Sequence, residues 1–279
     1  MSISYPFRLV KIKKCGGYHP FITFFHNEKP YHALIDSGAS HSFLNRDYFE
    51  DIQKGNPPLL SVGMNSGFSV WETTLEMITL SEIYLPNIVL LKADLSYINR
   101  SLTSMGFFPI DGIFGCDLLQ QLGATIDFEH HQLFFHDKKQ THLLYFEGDS
   151  FFTVTLILNN SPLRLLLDTG ASQTLLDLSI AEMLFPNINN WGPNNGATIG
   201  ISSDDIINAN HSMTITFDNS STDKIPGWEV CFTALKMNKI NISYQSASLP
   251  PIDAILGLDF LSNVSKIVSF KEKIIGFGF

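Results

Sequence analysis

The feature that most constrains this chain is that it is written twice. Ala33-Leu-Ile-Asp36-Ser-Gly-Ala-Ser40 recurs as Leu165-Leu-Leu-Asp168-Thr-Gly-Ala-Ser172, an offset of 132. At that spacing the flanks align without a gap: Thr23 with Thr155, Asn27 with Asn159, Pro30 with Pro162 and Leu44 with Leu176. A second pair follows in the same order. Pro109-Ile-Asp-Gly-Ile-Phe-Gly115-Cys-Asp-Leu-Leu119 matches Pro251-Ile-Asp-Ala-Ile-Leu-Gly257-Leu-Asp-Phe-Leu261, now at an offset of 142, and Ile126-Asp-Phe128 lies opposite Val268-Ser-Phe270. The second copy therefore carries ten more residues between its two motifs. Two ordered landmarks per half imply two copies of one structural unit. They meet near Leu143 to Phe151, giving domains over residues 1–145 and 146–279, each long enough for its own core.

Within each copy the apolar pattern is that of strands. Phe21 to Phe25 and Tyr31 to Ile35 flank His26-Asn-Glu-Lys-Pro30, and Phe152 to Leu158 and Leu163 to Leu167 flank Asn159-Asn-Ser-Pro162. Both read as hairpins, as does Glu129-His-His131 between two further strands. Asp117 to Leu122 before Gly123 predicts a short helix with a glycine cap, and Phe185 to Gly196 predicts a surface loop. Long amphipathic helices are few, so the expected body is all-β.

Composition excludes several classes. Net charge is −9 and no cluster of Lys and Arg stands out, which argues against nucleic acid and anionic membrane as partners. Cys15, Cys116 and Cys231 are odd in number, far apart and without a C-x-x-C pair, so buried thiols in a reducing compartment are expected rather than disulfides or a metal site. The N-terminal stretch has no apolar core of a secretory signal, and no segment reaches the roughly 18–20 apolar residues of a membrane helix. A cytoplasmic location is the expectation; secretion without a cleaved signal stays open.

Each first motif delivers an aspartate at the end of an apolar strand, followed by a hydroxyl residue and a glycine that lets backbone approach closely. One such aspartate is an ordinary buried acid. Two brought together share one proton, because adjacent like charges do not both ionise cheaply. That supplies an acid and a base side by side, as in the aspartic-protease dyad that serves as the general example of this effect.

On these residues the chain resembles the retropepsin and pepsin superfamily of aspartic proteases. It carries the D-[ST]-G-A signature twice and the hydrophobic-hydrophobic-Gly signature twice, as Ile113-Phe-Gly115 and Ile255-Leu-Gly257. Ala39 and Ala171 are in the retroviral style. Gly115 to Phe128 is similar to the continuation seen in bacterial retropepsin-like proteins. The resemblance covers essentially the whole chain. It implies an all-β bilobal acid-protease fold, with two retropepsin-like β-barrel lobes related by pseudo-twofold symmetry. It implies Asp36 and Asp168 as the catalytic pair, Ser37 and Thr169 as the hydroxyls locking the active-site loops, and Gly38 and Gly170 as the glycines facing substrate. The implied activity is endopeptidase cleavage of an extended polypeptide in the cleft between lobes, by a monomer without metal or cofactor. A weakly acidic optimum is expected, because Ala39 and Ala171 lack a hydroxyl that pepsins use near the acids. The alternative is an inactive peptide-binding module on the same scaffold.

Flap hairpins are expected at Val62 to Phe68 and Ile199 to Asp205, with Gly63, Met64, Phe68, Gly200 and Ile201 facing substrate. Asp111 and Asp253 are expected to brace turns or line the cleft, and Asp117 and Asp259 to cap short helices. His130, His131 and His136 read as exposed turn residues rather than metal ligands. His32 and His41 lie close to the first motif, where packing and a role beside the pair are both open.

Overall fold

The computed structural model describes residues 4–11, 18–48, 59–62, 67–104, 106–135, 143–148, 151–158, 161–186, 213–216, 229–235, 237–246, 248–265 and 267–276. The first copy contributes β1 (Ser4–Pro6), β2 (Arg8–Lys11), β3 (Tyr18–His26), β4 (Lys29–Ile35), β5 (Phe43–Asn45), β6 (Leu59–Val62), β7 (Gly67–Leu80) and β8 (Ile83–Ala93). Helix α1 (Ser96–Ser104), β9 (Gly112–Phe114), α2 (Cys116–Gln121), β10 (Thr125–Asp127), β11 (Gln132–Phe134) and β12 (Leu143–Tyr145) complete it. The second copy supplies β13 (Thr153–Leu158), β14 (Ser161–Leu167), β15 (Leu175–Asp177), α3 (Leu178–Leu184), β16 (Met213–Thr216), β17 (Glu229–Leu235) and α4 (Asn238–Ser246). It ends with β18 (Ala254–Leu256), α5 (Leu258–Phe260), a π-helical turn (Leu261–Ser265), β19 (Ile267–Ser269) and β20 (Ile274–Gly276). The chain is predominantly β, as its pattern predicts, and no described helix is long and apolar enough to cross a membrane.

Three sheets organise these strands. One runs β2-β3-β4-β9-β5-β8-β7-β6 and another β13-β14-β18-β15-β17-β16. Six consecutive positions of the two orders correspond, strand for strand. β4 pairs in parallel with β9 (Leu34 opposite Ile113), and β14 with β18 (Leu166 opposite Ile255). β5 and β15 lie antiparallel on the other side of β9 and β18. Central strands of this kind are covered on both faces, which is why Ala33-Leu-Ile35 and Leu165-Leu-Leu167 are continuous apolar runs, all buried. The third sheet, β1-β11-β10-β19-β20-β12, takes strands from both copies. Its inner pair sets Thr125, Ile126 and Asp127 antiparallel to Ser269, Val268 and Ile267.

The turns follow local chemistry. β3 and β4 close over Asn27 and Glu28, both at positive φ (49° and 64°), the geometry that matches strand twist in a two-residue hairpin. The loop joining β10 to β11 wraps around Asp127, whose carboxylate accepts the N–H groups of Glu129 and His130, each at 3.0 Å. His130 and His131 are exposed there, and the His130 ring meets Asp127 at 2.9 Å. His136 lies outside the described residues. α2 stops at Leu122, with Gly123 at φ +57° taking the left-handed turn.

Apolar clusters repeat as well. Beneath the first copy lie Leu34, Phe43, Leu95, Leu102, Phe107, Ile110 and Ile113. Beneath the second lie Leu166, Leu175, Met237, Ile240, Tyr244, Ile252 and Ile255. α1 and α4 each present one edge to these clusters. Asn99 on α1 donates to the Ile110 carbonyl (3.0 Å) and accepts its N–H (2.7 Å); Asn241 on α4 does the same with Ile252 (3.0 and 2.9 Å). The helices correspond at the 142 offset, and so do β8 and β17, which pair with β5 and β15. The ten additional residues of the second copy therefore enter between β15 and β17.

Candidate active site

β4 and β14 each end one residue before an aspartate. The neighbouring parallel strand continues to hold the backbone there: Asp36 N–H donates to the Phe114 carbonyl at 2.9 Å, and Asp168 N–H to the Leu256 carbonyl at 3.1 Å. Each carboxylate then folds back on its own loop. Asp36 Oδ1 accepts the N–H groups of Gly38 (2.9 Å) and Ala39 (3.2 Å); Asp168 Oδ1 accepts those of Gly170 (2.8 Å) and Ala171 (3.0 Å).

The two loops are bound to each other by four buried hydrogen bonds. Ser37 N–H donates to Thr169 Oγ1 (2.9 Å), and Thr169 N–H to Ser37 Oγ (3.0 Å). Each hydroxyl donates in turn into the opposite strand, Ser37 to the Leu167 carbonyl (2.8 Å) and Thr169 to the Ile35 carbonyl (2.9 Å). The exchange is reciprocal, so neither hydroxyl is satisfied without the other copy. The glycines complete the junction. A Cβ on Gly38 would lie 2.4 Å from the Asp168 carboxyl carbon, and one on Gly170 would lie 2.4 Å from that of Asp36. Only glycine lets each loop lie against the opposite acid.

Asp36 and Asp168 thus become nearest neighbours, with their carboxyls hydrogen-bonded to one another. Burial pushes both above the ordinary carboxylate range. For Asp36 the hydrogen bonds from Asp168 and from its two loop amides pull partly back. Asp168 is raised well above that range, first by burial and then by the negative charge of Asp36 beside it, against which its loop amides offer partial compensation. Two buried carboxyls in contact favour sharing one proton, because adjacent like charges do not both ionise cheaply. A neutral carboxyl able to donate and a carboxylate able to accept stand side by side.

The second motifs support these loops. Gly115 N–H donates to Ser42 Oγ (2.8 Å), and Gly257 N–H to Thr174 Oγ1 (3.1 Å). Added Cβ atoms at Gly115 and Gly257 would come within 2.4 Å of the His41 and Gln173 backbone, so the segment after each aspartate loop passes directly over a glycine. Asp117 and Asp259 do not stand at the cap positions of their helices. Gly115 and Gly257 occupy the cap positions, and the two carboxylates accept the Ser42 and Thr174 hydroxyls, both at 2.6 Å. From the first turn each carboxylate reaches the threaded segment and also accepts the next N–H of its own helix, Leu118 at 2.6 Å and Phe260 at 2.8 Å. Asp111 and Asp253 brace strands by accepting the N–H groups of His32 and Arg164, each at 2.8 Å. His32 meets Thr23 Oγ1 at 3.1 Å and the Phe108 ring, while His41 is exposed and bonded to Ser40.

Of the flap candidates, Gly63, Met64, Gly200 and Ile201 lie outside the described residues. Of the first candidate segment the described ends pair antiparallel, Val62 with Gly67 and Ser61 with Phe68. Ser42, Thr174, Asn99 and Asn241 escaped the sequence reading, although the 132 and 142 offsets already match each to a partner of its own type. Among the described residues no group of three or more His, Cys, Asp or Glu side chains could hold a metal ion. Comparison with protein-family models found no match, and a search of curated proteins found no similar sequence.

Proposed function

We propose that the chain is a bilobal aspartic endopeptidase of the retropepsin and pepsin type, acting as a monomer. Its lobes are residues 1–145 and 146–279, and Asp36 and Asp168 form its catalytic dyad. The observation that carries this reading is the reciprocal seating of the two D-[ST]-G loops, which brings one carboxyl from each copy into hydrogen-bonding contact. A pseudo-twofold relation between the lobes is supported by β10 and β19, counterparts in the repeat that pair antiparallel about Ile126 and Val268. In catalysis the ionised carboxyl takes a proton from a water lying between the acids, and the water attacks the peptide carbonyl. The protonated carboxyl polarises that carbonyl and then passes its proton to the departing amine. An extended polypeptide binds between the lobes. Fusion keeps the second acid present at high effective concentration, which separate chains would lack.

The test is cleavage of a broad peptide library from about pH 3 to 8, a range that brackets shared-carboxylate titration. Wild type should cleave, with an optimum on the weakly acidic side, and Asp36→Asn and Asp168→Asn should each abolish cleavage while unfolding cooperatively. A wild-type protein that binds peptides but never cleaves them across this range overturns the proposal in favour of a binding module.

A further inference from the structure

Beside the acid pair the two copies differ, and they differ in matched places. Cys116 opens α2, and its counterpart at the 142 offset is Leu258, which opens α5. The backbones behave alike: Cys116 N–H donates to the Ala39 carbonyl and Leu258 N–H to the Ala171 carbonyl, both at 2.8 Å. The side chains do not. The buried Cys116 thiol donates to the Ser37 carbonyl at 2.9 Å, and its sulfur receives the backbone N–H of Phe152 from the second copy. The counterpart of Phe152 at the 132 offset is Pro20, which has no N–H. The copy without the sulfur is therefore also the copy without that amide.

The Ser37 carbonyl belongs to the same peptide unit as the Gly38 N–H, and that N–H donates to Asp36 Oδ1 at 2.9 Å. A donor on the carbonyl end of a peptide polarises it and strengthens the N–H at the other end. The Thr169–Gly170 peptide presents its N–H to Asp168 in the same way at 2.8 Å, but Leu258 has no donor to offer its carbonyl. Among the described residues, the titratable groups acting around the pair are the two carboxyls themselves, Cys116 on α2 and, on the Asp168 side, Tyr244 on α4; Asp117 acts on Cys116 and Arg164 on Tyr244.

We propose that Cys116 is a positioning residue that biases where the shared proton sits, by holding and polarising the Ser37–Gly38 peptide so that the charge falls more often on Asp36 and the proton on Asp168. Combined with the peptidase reading, on which its role in turnover rests, this favours Asp36 as the base that activates water and Asp168 as the acid.

The experiment follows the carboxyl titration of the full chain labelled with 13C-aspartate, alongside the acidic limb of the pH profile for peptide cleavage. Cys116→Ala should raise the first apparent pKa of the pair by about 0.2–0.4 of a pH unit, the share of a charge-assisted hydrogen bond that peptide polarisation contributes. Cys116→Ser, which keeps a donor and an acceptor, should titrate at or below wild type. Leu258→Cys, which offers the other peptide a donor, should lower the same value, and it decides the matter even if the alanine variant fails to fold. The proposal is overturned if the serine variant moves as far as alanine, or if Leu258→Cys leaves the titration unchanged or raises it. Titration that shifts as expected in a protein that never cleaves peptide retains the role of Cys116 and refutes the peptidase reading alone.

Discussion

Thr169→Val is the sharpest probe of the junction between the copies, because it deletes one hydroxyl and nearly preserves side-chain shape. That hydroxyl accepts the Ser37 N–H and donates to the Ile35 carbonyl, both at 2.9 Å. Ser37 and Thr169 are each 0% exposed, so water does not replace the lost partner. The variant strands one buried donor and one buried acceptor, at about 1–3 kcal/mol each. A loss of about 3 kcal/mol, with a urea m-value of about 3 kcal/mol per molar, lowers the unfolding midpoint by about 1 M. Thr169→Ser is the control. It installs the residue the first copy uses, retains both hydrogen bonds and gives up one methyl group, for about 1 kcal/mol. Urea titrations followed by circular dichroism should therefore separate the two variants by more than about 0.5 M. Coincident midpoints would refute the reasoning, since they would mean that the hydroxyl exchange contributes nothing beyond the methyl.

Two further outcomes follow from buried titratable groups. His19 is 2% exposed, packs against the Phe107 ring and has neither ring nitrogen hydrogen-bonded; burial pushes its pKa down to about 4. The folded state then binds fewer protons than the unfolded state below about pH 6.5, so stability should fall by about 3 kcal/mol between there and pH 4. His19→Phe, copying Phe151 of the second copy, should flatten that part of the stability profile, and parallel profiles for the two proteins would count against it. Asp168 is raised, so its folded state holds the proton more tightly and its stability cost is present at neutral pH and absent below the unfolded pKa. Asp168→Asn should therefore stabilise the protein at pH 7 by about 0.5–2 kcal/mol, the usual scale of a single stabilising substitution, with the gain gone by about pH 3. Thermal unfolding at both pH values tests this, and an equal gain at each would contradict it.

Much of this was legible because short-range chemistry and the repeat point the same way. The two acids, the hydroxyls beside them and the glycines are fixed by local motif, and a second copy supplies each with a partner. The hairpin at Asn27 and the glycine stop at Gly123 follow from turn chemistry alone. α1 is harder to read: Ser96 to Ser104 carries few apolar residues, and the helix is held by tertiary contacts of Ile98 and Leu102 rather than by propensity. The roles of Asp117 and Asp259 escaped for a related reason. Their partners, Ser42 and Thr174, are 75 and 85 residues distant, and a cap is the cheaper local reading. The contrast between Cys116 with Phe152 and Leu258 with Pro20 is written in the sequence, yet it acquires meaning only when sulfur and amide meet in space.

The reciprocal hydroxyl exchange spans 132 positions, and β10 finds β19 only across a similar stretch of chain. During synthesis at about 5–20 residues per second, the amino-terminal copy waits about 7–26 s for its partner to emerge. Throughout that interval Ser37 lacks its acceptor and β10 offers a bare edge, the kind of surface that recruits any neighbouring nascent strand. Spacing between ribosomes on the message, and not only the amino-acid sequence, thus bears on how cleanly this molecule closes upon itself.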